Sequence, residues 1–287
     1  MHGHDQVLSW AVRVGQGILA REEGSVIVLT MAPVVDVARL RADNPGPFTL
    51  TGTNSYVVGR DGCWVVDPGP ALDAHVAAVA AEVEARGGAE GILLTHDHAD
   101  HAGAVPALVW ALGGAVPVYA ARYRGATVIG NGDTIGSFAV AATPGHAPDH
   151  LAFVIYDTVF TGDAVLGTGS VFLAPDPGAL RGYLAGLELL KALRPRRLWP
   201  GHGPVVDDPL THLDGYIAHR LERERRLVDA LGAGARTVAA LLDAAWDDVP
   251  EGLRPAAAVT LAAHLDALQE QGRLPDGVER PPWPPEA

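Results

Sequence analysis

The stretch "LLTHDHADHAGAV", residues 93–105, places three histidines and two aspartates within six positions, directly after an apolar run. These residues are His96, Asp97, His98, Asp100 and His101. The apolar run predicts a buried strand that ends in a loop. The spacing lets the first two histidines point to one side of that loop, while Asp100 and His101 point to the other. Imidazole nitrogens and carboxylate oxygens suit zinc and related divalent ions, so one loop can supply two sets of metal ligands.

Three further segments end an apolar run with a ligand-type residue on a turn that contains glycine. "TPGHAPDH" carries His146, "FTGDAV" carries Asp163 and "WPGHGP" carries His202. The first loop alone is also compatible with a polar, hydrogen-bonded turn. Four such segments favour the convergence of strand-end loops on one site. The sequence therefore predicts a metal site with five histidines and two aspartates: His96, His98, His101, His146, His202, Asp100 and Asp163.

Composition restricts the function classes. With 287 residues, 48% hydrophobic and 19% charged, the chain can bury a large core, as one large domain or one domain with an appendage. The net charge of -13 disfavours general binding to nucleic acid or an anionic membrane, although a local basic patch remains open. Cys63 is the only cysteine, which excludes an intrachain disulfide and a thiolate-rich metal site. Without an export signal, we expect a cytoplasmic location.

The order of strand and helix patterns predicts an α/β core followed by a helical tail. Short strand-like pieces come first, and from about residue 71 helices and strands alternate. Helical patterns then cover 208–231, 237–246 and 255–271. The uncharged run 104–121 is interrupted by proline and glycine, which favours a short helix, a turn and a strand over a membrane span.

These patterns give four expected segments. Residues 1–24 are expected to form the first strand or strands of the core, and 25–207 the catalytic domain. Residues 208–275 are expected to form a C-terminal helical domain. Residues 276–287, with the proline-rich ending "RPPWPPEA", are expected to be disordered because such a composition cannot pack a core.

The motifs "THDHADH", "TPGH", "TGD" and "PGHG", in this order, resemble those of the metallo-β-lactamase fold superfamily. The resemblance spans about residues 25 to 205 and implies a four-layered αββα sandwich with a metal site at the sheet edge. It implies two Zn²⁺ ions, with iron or manganese left open. The first ion would be held by His96, His98 and His146, and the second by Asp100, His101 and His202. Asp163 would bridge them.

Asp67, in "VVDPG", matches the early aspartate motif of this superfamily. The resemblance implies that Asp67 supports the histidine loop, as partners of metal ligands commonly do. A role in capping its own turn is compatible with the same sequence and stays open beside it.

A longer match resembles the lactamase-β-like protein 2 group, whose animal member is a zinc-dependent endoribonuclease acting on single-stranded RNA. The match rests on "NPGPFTLTGTNSYVVG", "TPGHAPDH", "WPGHGPVV", "YIAHR" and the helical tail. It implies a small winged-helix-like domain at residues 237–274. Only Arg254 and Arg273 are basic in that stretch, so we expect it to pack against the active-site rim and expect no binding to double-stranded DNA.

Departures from related groups narrow the choice. With no cysteine besides Cys63, a dedicated lactamase is disfavoured, and the 38 residues between Asp163 and His202 are too few for the second domain of the β-CASP nucleases. "HADH" also occurs in persulfide dioxygenases, which hold one iron. The long tail and the "NPGPFTL" segment argue against that group.

The expected mechanism is hydrolysis by a metal-bridging hydroxide, with Asp100 and Asp163 as catalytic carboxylates. His150, four residues beyond His146, is a candidate proton donor, with a structural hydrogen-bonding role as the alternative. The segment "HRLERERR" at 219–226 is expected to be a solvated, salt-bridged face. His75, His212 and His264 have the context of helix surfaces, and no role is assigned to them.

Three substrate classes remain open: phosphodiesters in single-stranded RNA, a small thioester, ester or β-lactam, and sulfur compounds oxidised at iron. RNA would be contacted by clustered arginines at 194–197 or 223–226 and would show a steep dependence on salt. A homo-oligomer is compatible with the sequence, and no membrane contact is expected.

Overall fold

Two β-sheets face each other, with helices on both outer sides, in the computed structural model, which describes residues 34–282. The first sheet has the order β1-β2-β3-β4-β5-β6. Its strands are β1 (Val37–Arg41), β2 (Asn54–Val58), β3 (Cys63–Val66), β4 (Ala89–Leu93), β5 (Val118–Ala120) and β6 (Thr127–Val128). The pairs up to β3 are antiparallel and those from β3 to β6 are parallel. Parallel pairing requires crossover connections, and helices supply them between β3 and β4 and between β4 and β5.

The second sheet has the order β11-β10-β9-β8-β7. Its strands are β7 (Thr134–Ile135), β8 (Phe138–Ala142), β9 (Leu151–Ile155), β10 (Thr158–Gly162) and β11 (Arg197–Pro200). The pairs from β7 to β10 are antiparallel, and β10 pairs with β11 in parallel. The turn between β9 and β10 is short, so the segment "LAFVIYDTVFTGD" forms a hairpin that ends at the Asp163 loop.

Helices cover both sheets and continue into the tail. They are α1 (Asp73–Ala85), α2 (Ala99–Ala102), α3 (Val105–Ala111), α4 (Ala179–Ala192), α5 (Pro209–Gly232), α6 (Val238–Ala245) and α7 (Arg254–Glu270). A short 3₁₀ turn, Glu251–Leu253, leads into α7. Within the described residues, no helix is long and apolar enough to cross a bilayer.

Three apolar layers hold the sandwich together. One fills the space between the sheets and includes Tyr56, Phe153 and Phe160. A second packs α1 and α3 on the first sheet, and the third packs α4 and α5 on the second. Because the strands are covered on both faces, they carry continuous apolar runs rather than alternating patterns. The predicted four-layered αββα architecture is confirmed.

Helices α6 and α7 and the segment that joins them, called the tail from here on, form a separate small core with the end of α5. Leu227 and Leu231 pack there against apolar residues of α6 and α7. Ala263 and Ala267 on the other side of α7 belong to the core of the main sandwich. Helix α7 therefore joins the tail to the catalytic domain.

The structure corrects or leaves out several expectations at the chain ends. Residues 276–282 hydrogen bond back to the tail, since Glu279 accepts from the Val238 amide at 2.8 Å and its own amide donates to the Arg236 carbonyl. Arg280, the first residue of the proline-rich stretch, also pairs with Asp266. These contacts contradict the disorder expected for this part of the segment. The segment 1–24, the strand-like piece "SVIVLTMAP" at 25–33 and residues 283–287 lie outside the described residues.

Candidate metal centre

The ligand-type residues lie at one edge of the sandwich, where strands of both sheets end. The loop after β4 supplies His96, His98, Asp100 and His101, the last two within α2. The turn between β8 and β9 supplies His146, and Asp163 and His202 directly follow β10 and β11. The structure brings all seven predicted ligands together in three overlapping groups: His96, His98, His146; His96, His101, Asp163; and Asp100, His101, His202.

Imidazole nitrogens face one another at the first group. His96 Nε2 and His146 Nε2 each lie 3.0 Å from His98 Nδ1. The group of Asp100, His101 and His202 is equally close, with His202 Nε2 at 3.3 Å from His101 Nε2 and 3.2 Å from Asp100 Oδ2. Converging lone pairs of this kind repel unless a cation lies between them. The donor set therefore fits divalent metal ions that prefer nitrogen and oxygen ligands.

Asp163 faces both groups. Its Oδ1 lies 3.5 Å from His101 Nε2, while Oδ2 lies 3.3 Å from His202 Nε2 and 3.6 Å from His146 Nε2. Oδ1 is buried without a hydrogen-bond partner among the described residues, an arrangement that suits a metal-binding oxygen. The carboxylate is thus placed to contact ions held by either group.

Partners behind the ligands fix which ring nitrogen points into the centre. Asp67 accepts hydrogen bonds from Thr95 Oγ1 at 2.7 Å and from His101 Nδ1 at 2.9 Å. Because the Thr95 hydroxyl donates to Asp67, it accepts from His96 Nδ1, 2.9 Å away. The Nε2 atoms of both histidines are left to bind metal, as expected for ligands oriented by a carboxylate.

Three further ligands are oriented by the backbone or by a hydroxyl. His146 Nδ1 donates to the Phe172 carbonyl at 3.0 Å, and His202 Nδ1 lies 3.4 Å from the Gly52 carbonyl. Thr53 Oγ1 donates to Asp100 Oδ2 at 3.2 Å. The fold therefore sets the orientation of these ligands, whereas His98 is exposed.

Two backbone features show how tightly the centre is packed. Asp67 has φ of 50°, a left-handed conformation that is costly for a residue with a side chain and is concentrated at functional sites. A Cβ at Gly201 would lie 2.5 Å from Asp163 Oδ1 and 2.6 Å from His101 Cε1. Only glycine permits β11 to approach the ligands this closely.

Burial and charges within the centre shift the pKa values of the ligands in opposite directions. Burial opposes ionisation of Asp163, but His101 and His202 outweigh it and hold the pKa of this carboxyl well below its usual range. Burial also opposes protonation of His202, yet hydrogen bonds to Asp100 and Asp163 raise its pKa to about 9. Burial lowers the pKa of His146 to about 4. The Asp163 carboxylate is thus ionised and His146 is neutral at pH 7, as metal ligands must be, whereas His202 has to release its proton when a metal binds.

His150 lies beneath the centre rather than within it. The residue is 1% exposed, and both ring nitrogens are engaged, with Thr143 Oγ1 at 2.8 Å and the Asp163 amide at 3.0 Å. This arrangement suits the alternative structural role, because neither nitrogen is free to face a substrate.

A cavity of about 230 Å³ opens beside the centre, with His146 and Asp163 in its wall. Helix α5 contributes His219, Arg220 and Arg223 to the same wall. The rest of the wall is mainly apolar and includes Phe48, Leu50, Leu166, Val171, Phe172, Trp246, Val249, Leu253, Ala256 and Ala257. The last five of these come from the tail, which thus closes the rim.

The structure contradicts several surface expectations. His75 and His264 are buried, and Arg220 and Arg223 of the supposedly solvated "HRLERERR" segment are only 2% and 4% exposed. The two arginines are buried because α5 is packed on two sides, by the catalytic domain and by the tail. His75 on α1 lies 2.8 Å from Ser55 Oγ, and His264 on α7 packs against Trp246. Sequence reasoning also missed Thr53 and Thr95, whose one signal is their position next to predicted strands.

An αββα sandwich with converging histidines and aspartates at its strand ends defines a class of metal-dependent hydrolases. The sequence profile of the Metallo-beta-lactamase superfamily matches residues 48–124 and 113–202, and that of the Beta-lactamase associated winged helix domain matches 237–276. The chain belongs to the metallo-beta-lactamase superfamily, and the predicted winged-helix-like tail is confirmed.

Among its relatives, a Beta-lactamase-like protein 2 homolog of Caenorhabditis elegans is 32% identical over 215 residues, which cover 68% of this chain and 70% of the relative. An Atrochrysone carboxyl ACP thioesterase of Aspergillus chevalieri is 33% identical over 238 residues, covering 75% and 74%. A beta-lactamase domain protein from Burkholderia ambifaria superposes with a TM-score of 0.71 at 21% identity, covering 84% of this chain and 89% of that one. The last likeness concerns the fold alone.

Proposed function

We propose that this enzyme is a binuclear zinc hydrolase of a small thioester or ester whose acyl group has an apolar chain. The observation that carries the proposal is the cavity: its wall is mainly apolar, and it contains the ligand residues His146 and Asp163. A pocket of this kind takes an apolar ligand and orients it with few polar groups. The relative whose name describes a thioesterase supports the same chemistry.

The ligand residues divide the work. His96, His98 and His146 would hold one ion and Asp100, His101 and His202 the other, with Asp163 contacting both. Two divalent ions supply Lewis acidity, which lowers the pKa of water towards neutrality and stabilises negative charge on the attacked group. Asp100, held by Thr53, would orient the attacking water through its carboxylate. Asp163 would set the spacing of the two ligand groups.

We assign His150 a positioning role through the Asp163 backbone. Its Nε2 accepts from the Asp163 amide and its Nδ1 is engaged by Thr143. The test separates positioning from proton donation: His150→Gln should lower metal affinity together with turnover. A variant with normal metal content and a lost alkaline limb in its pH profile would instead indicate a proton donor.

Cleavage of single-stranded RNA is the second candidate, favoured by the similarity to the Beta-lactamase-like protein 2 homolog. The arginines expected to bind phosphates are largely occupied, however. Arg197 pairs with Asp207 at 2.7 Å, and Arg226 pairs with Asp247 at 2.6 Å. Arginines neutralised by carboxylates contribute little to phosphate binding, so the small-molecule proposal is preferred.

A substrate panel on protein of measured metal content tests the proposal. The panel contains an apolar acyl thioester, an aryl ester, nitrocefin and a single-stranded RNA, each with and without chelator, and Asp163→Asn and the exposed Asp207→Asn as variants. We expect chelator-sensitive thioester or ester hydrolysis that Asp163→Asn loses and Asp207→Asn retains. RNA cleavage with a steep salt dependence and no ester hydrolysis would favour the second candidate. One iron per chain with oxidation of a persulfide would overturn both.

A further inference from the structure

Arg220 is a buried cation without a carboxylate partner. It is 2% exposed, its Nη2 donates to the Val171 carbonyl, and its guanidinium lies 5.2 Å from the centre of the Tyr183 ring. Its Nε is buried without a hydrogen-bond partner among the described residues, and no described carboxylate forms an ion pair with it. An unpaired buried charge is costly, so a partner from outside the chain is expected.

The neighbouring arginines of α5 show the contrast. Arg223 pairs with Asp248 at 2.6 Å, Arg225 with Glu222 at 2.7 Å, and Arg226 with Asp247 at 2.6 Å. The chain has 34 acidic residues and a net charge of -13, so carboxylates are abundant. Arg220 is the exception on this helix, and it is the most deeply buried of the four.

Arg220 also lines the cavity that contains His146 and Asp163. Burial, followed by the charges of Arg220 and Arg223, lowers the pKa of His219, which lies in the same wall, to about 4. The rest of the wall includes Leu166, Phe172 and Trp246, which favour an apolar molecular skeleton. The cavity wall thus combines metal-ligand residues, an apolar surface and a buried cation.

We propose that Arg220 binds a carboxylate of the substrate, so that the enzyme acts on small acyl compounds with the scissile carbonyl at one end and an anionic group at the other. A guanidinium matches a carboxylate in geometry and charge, and such a pair is strong where water is excluded. The proposal deepens the proposed function and rests on it for the identity of the reacting carbonyl. The carboxylate subsite itself can be tested without turnover.

The alternative is that Arg220 only holds its loop. Val171, whose carbonyl it binds, precedes Phe172, whose carbonyl orients His146. A merely structural arginine would therefore affect metal binding and would affect charged and neutral ligands alike. This difference determines the design of the experiment.

Calorimetry with benzoate and its neutral analogue benzamide on the metal-loaded enzyme tests the subsite. We expect Arg220→Met to weaken benzoate binding at least about tenfold, as loss of a charge-assisted bond should, and benzamide binding less than about twofold. Arg220→Lys should retain part of the benzoate affinity. Arg225→Met, on the exposed side of α5, should leave both affinities and the metal content unchanged.

Equal losses for both probes, a metal deficit in Arg220→Met, or unaltered benzoate binding would each overturn the proposal. Hydrolysis gives an independent measurement: Arg220→Met should raise KM for a glutaryl thioester and leave that for a valeryl thioester unchanged. If benzoate binds through Arg220 but no thioester or ester is hydrolysed, the subsite stands and the proposed function fails. If both thioesters are hydrolysed with equal KM in all variants, the function stands and the subsite fails.

Discussion

Two parts of the cavity wall are built in different ways. In the metal part, every ligand follows a strand, and partners such as Asp67 and Thr95 orient the imidazoles through short hydrogen bonds. In the arginine part, Arg220 and Arg223 come from one long helix and are buried by the tail that packs against it. Local sequence motifs predict the metal part, whereas long-range packing forms the arginine part.

The largest effect is expected at Asp163. Asp163→Asn removes a charge without changing size, so the fold should remain while metal affinity falls and turnover drops by at least about 10²-fold. Metal content after dialysis and kcat on the active substrate measure the two effects. Asp207→Asn, an exposed acid paired with Arg197, is the control and should change neither. If Asp163→Asn keeps both metals and near-normal turnover, the two ligand groups do not depend on a shared carboxylate.

A smaller effect is expected at Asp67, which hydrogen bonds to the ligand His101. Asp67→Asn keeps the shape but loses the charge that holds Thr95 and His101, and such changes typically cost about 10- to 100-fold in metal affinity. Competition with a chromophoric chelator measures the affinity. An affinity equal to that of the wild type would mean that Asp67 only caps its turn.

The metal part of the wall was largely predictable because each of its sequence signals is local. An apolar run followed by histidine and aspartate predicts both β4 and the ligand loop, and the same holds for β10 with Asp163. The helix periodicity at α1 is equally local. Helix α4 was not predicted, although it covers the second sheet.

The arginine part of the wall was mispredicted for a physical reason. Helix α7 is buried on most of its surface, so its apolar residues have no single face and His264 cannot be distinguished from a surface residue by periodicity. The arginines of α5 have the spacing of a solvated, salt-bridged helix. Whether Arg220 meets a carboxylate depends on residues distant in the chain, which spacing does not reveal.

Acid is expected to lower the stability of the tail because His264 takes up a proton only in the unfolded chain. This residue is fully buried, and burial, with Arg220 nearby, lowers its pKa to about 3 from a usual 6.5. Between these two pH values the unfolded chain binds a proton that the native chain does not, so stability falls as the pH falls. From pH 7.5 to 5.0 this amounts to about 2 kcal/mol, which His264→Phe should remove while keeping the contact with Trp246.

Urea unfolding of both proteins at the two pH values measures this difference. Acid also acts on the metal ligands, but it does so equally in the wild type and in His264→Phe. An identical loss of stability in the two proteins would show that His264 is protonated or exposed in the native state.

The smallest effect separates the buried and exposed arginines. Arg223→Met leaves the Ala245 carbonyl without its donor and should lower the free energy of unfolding by about 1–2 kcal/mol. Arg225→Met, whose ion pairs are exposed, should leave the urea midpoint unchanged. Equal midpoints for the two variants would mean that Arg223 lies on a solvated face of α5, as the sequence predicts.

The metal-to-protein ratio tests the central claim, a binuclear centre, most directly. Seven ligands in overlapping groups exceed what one tetrahedral ion uses. Elemental analysis of fully loaded enzyme should therefore give two ions per chain. His202→Ala, which removes a ligand only from the group of Asp100, His101 and His202, should give one. A ratio of one in the fully loaded wild type would contradict the binuclear centre.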